Sequence, residues 1–544
     1  MPPDLAAVVP QSNMWPSRSF NLRLDQKPGH RVVGNKLPMS SGSPGAGSDM
    51  ASDTSGEAAG RAGEVDRLPF VTKLSYGLGE TAEGVKSAAL ETFLFFYYVQ
   101  VVGLSGSMTG LALLIALLFD GLSDPIIGNV SDNLRSRLGR RHPFLYLAPI
   151  PLAVCLYLLF SPPAGAGDWI LFAWLLGFTA LGRLMQSFYF VPHMALGAEL
   201  STDFRERVSV SGFRALFAYV GRLLVLALAF SLFFRSTTGF PDGQLNPAAY
   251  QPLALACGAI VVVVIFTSAL GTQRRAQQVY ATGNVDGSLS AGSGGLIRNL
   301  LTAFRLKAFS IYFAAILISY VLGGVQAALS IHVNTYFWRL PPSGVQFVLL
   351  ANVVGFMAGF FLARGLAHRF DKKPVYVTSV VISVSITAVV ILLALAGVMP
   401  LDNKPLLTWL LAVSTFLTGV AGGPATVVAG AMLADVADAY HHRFGGRSEG
   451  FLFGASAFTR KASLGAGGAI AGVALDLIHF PRGVPVDAIP RDATVQLAVL
   501  FGPAMLIFTC ISMSIMWAYP LSRERHAEIQ ADLRRREVTA RGAR

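Results

Sequence analysis

The sequence predicts an all-α polytopic membrane protein, with twelve transmembrane helices in two six-helix bundles. Three observations carry that expectation. Apolar runs of about 20 residues, the length that crosses a bilayer core, recur along the chain. Only 14% of the 544 residues are charged and 53% are hydrophobic, where an average soluble domain has about 25% charged residues. A long polar loop after the sixth run divides the runs evenly.

Taken in order, residues 1–66 are expected to form a disordered cytoplasmic tail. Ser40 to Gly63 is rich in Gly, Ser, Ala and Asp and has no apolar period. The tail lacks the compact apolar core of a secretory signal, so targeting is expected to fall to the first span. An N-terminal bundle, 67–271, holds spans at Ser75–Val102, Met108–Val130, Pro143–Phe160, Trp169–Met194, Ser209–Phe234 and Pro252–Leu270. A cytoplasmic linker, 272–307, has a Gly/Ser-rich centre, GSLSAGSGG. The C-terminal bundle, 308–520, holds spans at Ala308–Tyr336, Val345–Leu366, Val375–Ala396, Leu406–Leu433, Phe451–Ile478 and Thr494–Tyr519. The cytoplasmic tail, 521–544, is polar, basic and expected to be helical.

Charge sets the topology. The loops after the even-numbered spans carry Arg135, Arg137, Arg140 and Arg141, then Arg205 and Arg207, Arg274 and Arg275, Arg369, Lys372 and Lys373, and Arg443 and Arg447. The alternate loops hold single, scattered cations. Basic loops stay inside, so both termini are expected in the cytoplasm and the protein in a plasma (bacterial inner) membrane. The net charge of +12 follows from these loops, and no nucleic-acid partner is called for. Cys155, Cys257 and Cys510 lie within apolar runs without metal-ligand spacing and read as small buried apolar residues. No GxSxG, HExxH or P-loop pattern occurs, so an enzyme is not expected, nor is any cofactor beyond a coupling ion.

The segment FDGLSDPIIGNVSDNLRSRLGRR (119–141) stands out. Asp120 and Asp124 are four apart, on one helix face. Carboxylates on an apolar helix are costly in lipid, so they normally face a cavity and have a function there. Two oxygen donors at this spacing suit a hard cation such as Na+; H+ requires only a carboxylate of raised pKa. Pairing with the nearby arginines is the plainer reading. The second span ends in NVSDNLRSRLGRRHPF and the eighth in GLAHRFDKKPVY. In both, an apolar helix gives way to an acidic residue, basic residues and a proline. Corresponding positions in two halves mean a parallel repeat, the layout of the major facilitator superfamily.

Four segments then resemble one group within it. They are YGLGETAEGVKSAALETFLFFYYVQVVGL, FDGLSDPIIGNVSD with RSRLGRRHPF, FVPHMALGAELSTDFRERVSVSGFR, and MLADVADAYHHRFGGRSEGFLFGASAFTRK. In this order, across residues 70–480, they resemble the glycoside–pentoside–hexuronide:cation symporters, the melibiose-permease group. The resemblance implies that Asp120, Ser123, Asp124 and Ser187 hold the coupling cation. It implies that Lys461 lies near the cation and sugar, and that Arg214 approximates a helix-five arginine. In that group a carboxylate on helix one and another on helix four hold sugar hydroxyls; here those positions read Gly84 and Phe190. The cavity is expected to offer Lys86 and Arg183 instead.

Other charges fill out the expected site. Lys461 lies one turn into a Gly-rich span, free to pair with Asp120 or Asp124 when no cation is held; snorkelling is its alternative. Lys86 and Glu83 are three apart, a spacing at which they neutralise each other, while Glu91 lies deeper in the first span. Arg137, Arg140, Arg141, Asp203, Arg207, Asp435, Asp438, Arg447 and Glu449 are expected to form charge networks that lock a cytoplasmic gate; ordinary loop charge is the alternative. The expected function is cation (Na+ or H+):solute symport of a sugar or glycoside by alternating access. An anionic sugar or lysolipid-like amphiphile is the alternative substrate, and a non-transporting receptor the remote one. The expected partners are a small solute, a cation and the lipid bilayer, with the protein a monomer.

Overall fold

The structure, a computed structural model, describes residues 68–201, 203–281, 301–445 and 449–542. The expected N-terminal tail, the Gly/Ser-rich centre of the linker and Arg447 lie outside the described residues. Twelve long helical segments follow one another. They are α1 (70–102), α2 (Gly106–Asn133), α3 (His142–Leu159), α4 (Asp168–Glu199), α5 (Phe204–Leu228) and α6 (Tyr250–Ala281). After them come α7 (Lys307–Phe337), α8 (Pro342–Arg369), α9 (Lys372–Leu395), α10 (Lys404–Phe444), α11 (Glu449–Leu477) and α12 (Arg491–Trp517). A polar helix, α13 (Arg523–Gly542), closes the chain.

Ten of these segments are long and apolar enough to cross a membrane on composition alone. The two that are not, α1 and α11, are interrupted by Glu80, Glu83, Lys86 and Glu91, and by Arg460 and Lys461. Charge of this kind is tolerated at membrane depth where it faces a cavity or a partner charge rather than lipid.

Packing follows the repeat. In the first half α1 lies on α5 and α6, α2 on α4, and α3 on α4 and α6. In the second, α7 lies on α11 and α12, α8 on α10, and α9 on α10 and α12. Two seams between repeat-equivalent helices join the halves, α2 to α11 and α5 to α8, and the widened stretch of α1 also meets α7. Small residues allow the closest approaches, as they do where membrane helices cross. The backbone of Gly106 lies against that of Gly472, and Gly110 against Gly468 and Ala469; a Cβ at either position would collide with main chain.

Two helices outrun the expected spans. The sixth was expected to end at Leu270 but continues to Ala281, so 272–281 are helix rather than linker. The tenth passes Leu433 to Phe444. Hydropathy falls there, but ADVADAYHHRF has no helix breaker, and Gly445, at φ 72°, ends the helix. Four helices contain widened turns with i→i+5 geometry, at Ala88–Leu94 and Tyr97–Val102 of α1, Ala229–Phe233, Val333–Phe337 and Leu500–Ala504. All lie toward the end opposite the basic loops.

The two ends of the molecule differ. At the end opposite the basic loops, Tyr336 donates to Gln100 (3.0 Å), Gln244 to Thr335 (3.1 Å) and Gln346 to Ser231 (2.8 Å), all between halves. The Phe96, His332, Tyr336 and Phe480 rings cluster there. At the basic end the polar contacts among the described residues stay within each half. Arg140 and Arg141 hold Glu199 (2.9 and 2.8 Å), and Arg141 also holds Asp132 (2.6 Å). These carboxylates keep the Arg141 charge firmly in place and push its pKa up against the opposing effect of burial. Lys372 holds Asp435 (2.6 Å), and His526 of α13 bonds Asp438 (2.8 Å).

Candidate functional site

The site forms where α2, α4 and α11 converge at mid-membrane. Asp120 is buried and Asp124, one turn on, is partly open; Leu118, Phe119, Leu122 and Ile126 are exposed, so the outward face of α2 is apolar and the carboxylates lie on the face packed against α4 and α11. The Ser187 hydroxyl of α4 lies 3.0 Å from Asp120 Oδ1 and 2.5 Å from Asp124 Oδ1, with its single proton to share between the two carboxylates. Lys461 of α11 reaches across the seam between halves and binds the other oxygens, 2.9 Å to Asp120 Oδ2 and 2.6 Å to Asp124 Oδ2. Arg183 adds a longer contact, 3.6 Å to Asp120. Unpaired carboxylates here would be strongly disfavoured; two ammonium bonds and a hydroxyl offset that cost.

An ammonium group thus sits within an oxygen set made by two carboxylates. The same oxygens, with the Ser187 hydroxyl, form a donor set of the hard kind that alkali cations take. Ser123, also buried on this face, donates its hydroxyl proton back to the Asp120 carbonyl at 2.9 Å, as helical serines do, which leaves its oxygen lone pairs free.

Beside the carboxylates lies a cavity of about 130 Å³ between the halves. Lys86, Glu83 and Glu91 of α1 line it with Arg183, Arg460 and Lys461. Lys86 is held by Glu83 (2.8 Å), which also accepts from Gln186 (2.5 Å), and Glu91 meets Arg222 at 3.3 Å. Arg214 is not part of this lining; it turns to Glu80 (3.8 Å) and to the Met194 sulfur. Position 84 has a packing reason to be glycine. It lies flat on α5 at the Ala218 carbonyl, beside Gly221, so no side chain fits there.

The residues expected at a gate are separated. Asp203 caps α5 by accepting from the Glu206 amide (2.9 Å), and Arg207 donates to the Ser201 carbonyl (2.8 Å). Arg137 is exposed. Asp435 and Asp438 serve α9 and α13. Among the described residues no ion pair joins these two sets in this conformation; Glu449 contributes its backbone to the start of α11.

Several polar residues were not marked by sequence. Asp476 of α11 accepts from the Gly106 and Ser107 amides (3.1 and 2.8 Å), capping α2 from the other half. Arg460, next to Lys461 in the chain, also lines the cavity. Glu80 and His193 lie buried 3.8 Å apart, with His193 stacked between Tyr76 and Tyr189. Only the apolar context of Glu80 hinted at that cluster.

Comparison with known proteins fits this geometry. The putative glycoside/cation symporter YagG of Escherichia coli K12 is 26% identical over 442 residues, covering 81% of this chain and 90% of that one. A glucuronide carrier protein homolog of the same organism is 24% identical over 486 residues, covering 87% and 97%. The solved nucleoside transporter NupG shares the fold, with a TM-score of 0.54, 15% identity, and coverage of 83% of this chain and all of that one. The family described as MFS/sugar transport protein, one of transporters rather than enzymes, matches residues 75–523. That match takes in both halves and both seams, and the chain, a multi-pass integral membrane protein, belongs to the MFS/sugar transport family.

Proposed function

We propose that the protein is a secondary transporter that couples entry of a cation, Na+ or H+, to symport of a sugar- or glycoside-type solute. The observation that carries this reading is the four-residue set at the seam: Asp120, Asp124 and Ser187 from one half, Lys461 from the other. A cation entering the set competes with the Lys461 ammonium for the same carboxylates. Lys461 is then released toward the cavity, where the solute binds, so each ligand changes the affinity for the other. The seal at one end, and the absence among the described residues of ion pairs between the halves at the other, favour a state open toward the basic loops, which the positive-inside rule puts in the cytoplasm with both termini. The glycoside/cation relatives support a sugar-type solute, and the single-chain site needs no second copy, so the working unit is a monomer in the plasma or bacterial inner membrane.

The test is uptake by proteoliposomes under a sodium or proton gradient. Asp124→Asn should bring cation-stimulated uptake to background while thermal unfolding shows a folded protein. Cation dependence that survives in this variant removes the reading.

A further inference from the structure

Apart from the cation set, α1 and α4 bring together a second pair of titratable side chains. Glu80 and His193 are buried, and Glu80 Oε2 lies 3.8 Å from His193 Nε2. That gap is too long for a hydrogen bond and too short for a water molecule in line, which needs about 5.5 Å. Glu80 Oε2 and both ring nitrogens have no hydrogen-bond partner among the described residues. The ring is held in place all the same, stacked between Tyr76 and Tyr189 at centroid distances of 4.3 and 5.0 Å. Arg214 of α5 stands 3.8 Å from the other Glu80 oxygen and is itself partly open to solvent. The charges around them are answered elsewhere. On α1, Lys86 is held by Glu83, and Lys73 pairs with Glu206 of α5 at 2.6 Å. On α2, Asp120 and Asp124 are held by Lys461, and Asp132 by Arg141. From α3 comes His142, 3.2 Å from the Thr272 hydroxyl of α6, and α6 adds the Ser268 hydroxyl, which with that of Tyr189 crowds Gly79.

A carboxylate oxygen left bare beside an unbonded imidazole is disfavoured at membrane depth, where ionisable groups facing the bundle interior mark ion paths. One proton removes the penalty. Carried on Glu80 Oε2 and donated to His193 Nε2, it makes the missing bond, draws the two atoms to about 2.8 Å and leaves neither group charged. An alkali ion does not suit the place, since it would meet one free oxygen with an imidazole and the Arg214 guanidinium around it. We propose that Glu80 and His193 form a proton-binding site, separate from the Asp120 and Asp124 set, that exchanges its proton with the basic end past Arg214. The proton tightens α1 on α4 one turn from the bond between Glu83 and Gln186 (2.5 Å), and Gln186 adjoins Ser187 of the proposed cation set. The inference goes beyond the symport reading and does not depend on it.

The experiment is infrared difference spectroscopy of the purified full-length protein in sodium buffer, titrated with acid so that the proton is the only ligand added. Wild-type protein should show a carboxylic acid C=O band that is lost in Glu80→Gln and kept in Asp124→Asn. A pH indicator should count one proton fewer taken up per chain in Glu80→Gln than in wild type. His193→Phe keeps an aromatic ring between the two tyrosines but no acceptor nitrogen, so the band should move to higher frequency. Labelling the glutamate carboxyls of wild-type protein with carbon-13 should shift the band, which tells Glu80 from the aspartates without any substitution. No acid band at any pH, a band unchanged in Glu80→Gln or by the label, or a band unmoved in His193→Phe would overturn the site. If Asp124→Asn loses cation-stimulated uptake and keeps the band, both readings stand; if it keeps both, the symport reading falls and the proton site remains.

Discussion

The two seams that join the halves occupy equivalent places in the repeat, yet they are built differently. The seam of α2 with α11 runs from Gly106 to Asp124, through glycine backbones in contact, a capping carboxylate and the Lys461 bridge. The seam of α5 with α8 is short, with Gln346 bonded to Ala227 O (3.1 Å) and Ser231 and the Tyr219 ring edge-on to Phe360. Close glycine packing gains dispersion contacts that cannot be kept if the helices slide, whereas side-chain hydrogen bonds can be exchanged for water. The first seam therefore acts as the stiff pivot and the second as the side that yields. The proposed cation set lies on the stiff side, where its geometry is held.

Three tests would break or sharpen this contrast. The largest effect is expected from Gly472→Val, since its new side chain would overlap the Gly106 carbonyl. Overpacking against main chain should cost about 3 kcal/mol and abolish transport, whereas Ala227→Val on the other seam should be mild. Thermal unfolding of both variants checks this; equal losses would dissolve the contrast. Asp476→Asn should cost about 1–2 kcal/mol by weakening the α2 cap, with no new clash. It should raise the labelling of a cysteine placed at Ser107 by an impermeant thiol reagent, and unchanged labelling would mean that the cap does not hold that end closed.

The smallest effect concerns pH. Asp242, in the loop before α6, is held above the ordinary carboxylate range by burial and then by the Asp487 charge, with Arg339 opposing. Opening would return it to water and to its ordinary value. The closed end is then favoured fully while Asp242 is protonated, below the ordinary range, and loses that help as pH rises through the raised value. Asp242→Asn should leave Ser107 labelling lower and flatter across that window; a slope equal to wild type sinks the assignment.

The fold was legible because membrane spans announce themselves by length and composition, and topology by where cations fall. The carboxylates of α2 and Lys461 were legible for the converse reason, as charges where lipid forbids them. What was not legible depends on partners distant in the chain. Asp476 reads as an ordinary helix-end acid until Gly106 is placed beside it. Gly84 reads as a lost binding residue until Ala218 is seen against it. The helical stretch after Leu433 was missed because hydropathy reports burial in lipid and not helix, and the polar end of α10 is helical outside it. Gate charges were named by type, but which of them meet depends on the conformation.

The widened turns have a mechanical consequence. Gln100 and Tyr336, which bond across the sealed end, each lie within such a stretch, one in α1 and one in α7. A turn of this kind stores one residue of slack relative to the regular spiral. Drawing that slack out would rotate everything beyond it by roughly 100°, the angle one residue subtends in an α-helix. The latch is thus mounted on segments that can swivel without unravelling, and unfastening it asks for a change of winding rather than a break in the rod.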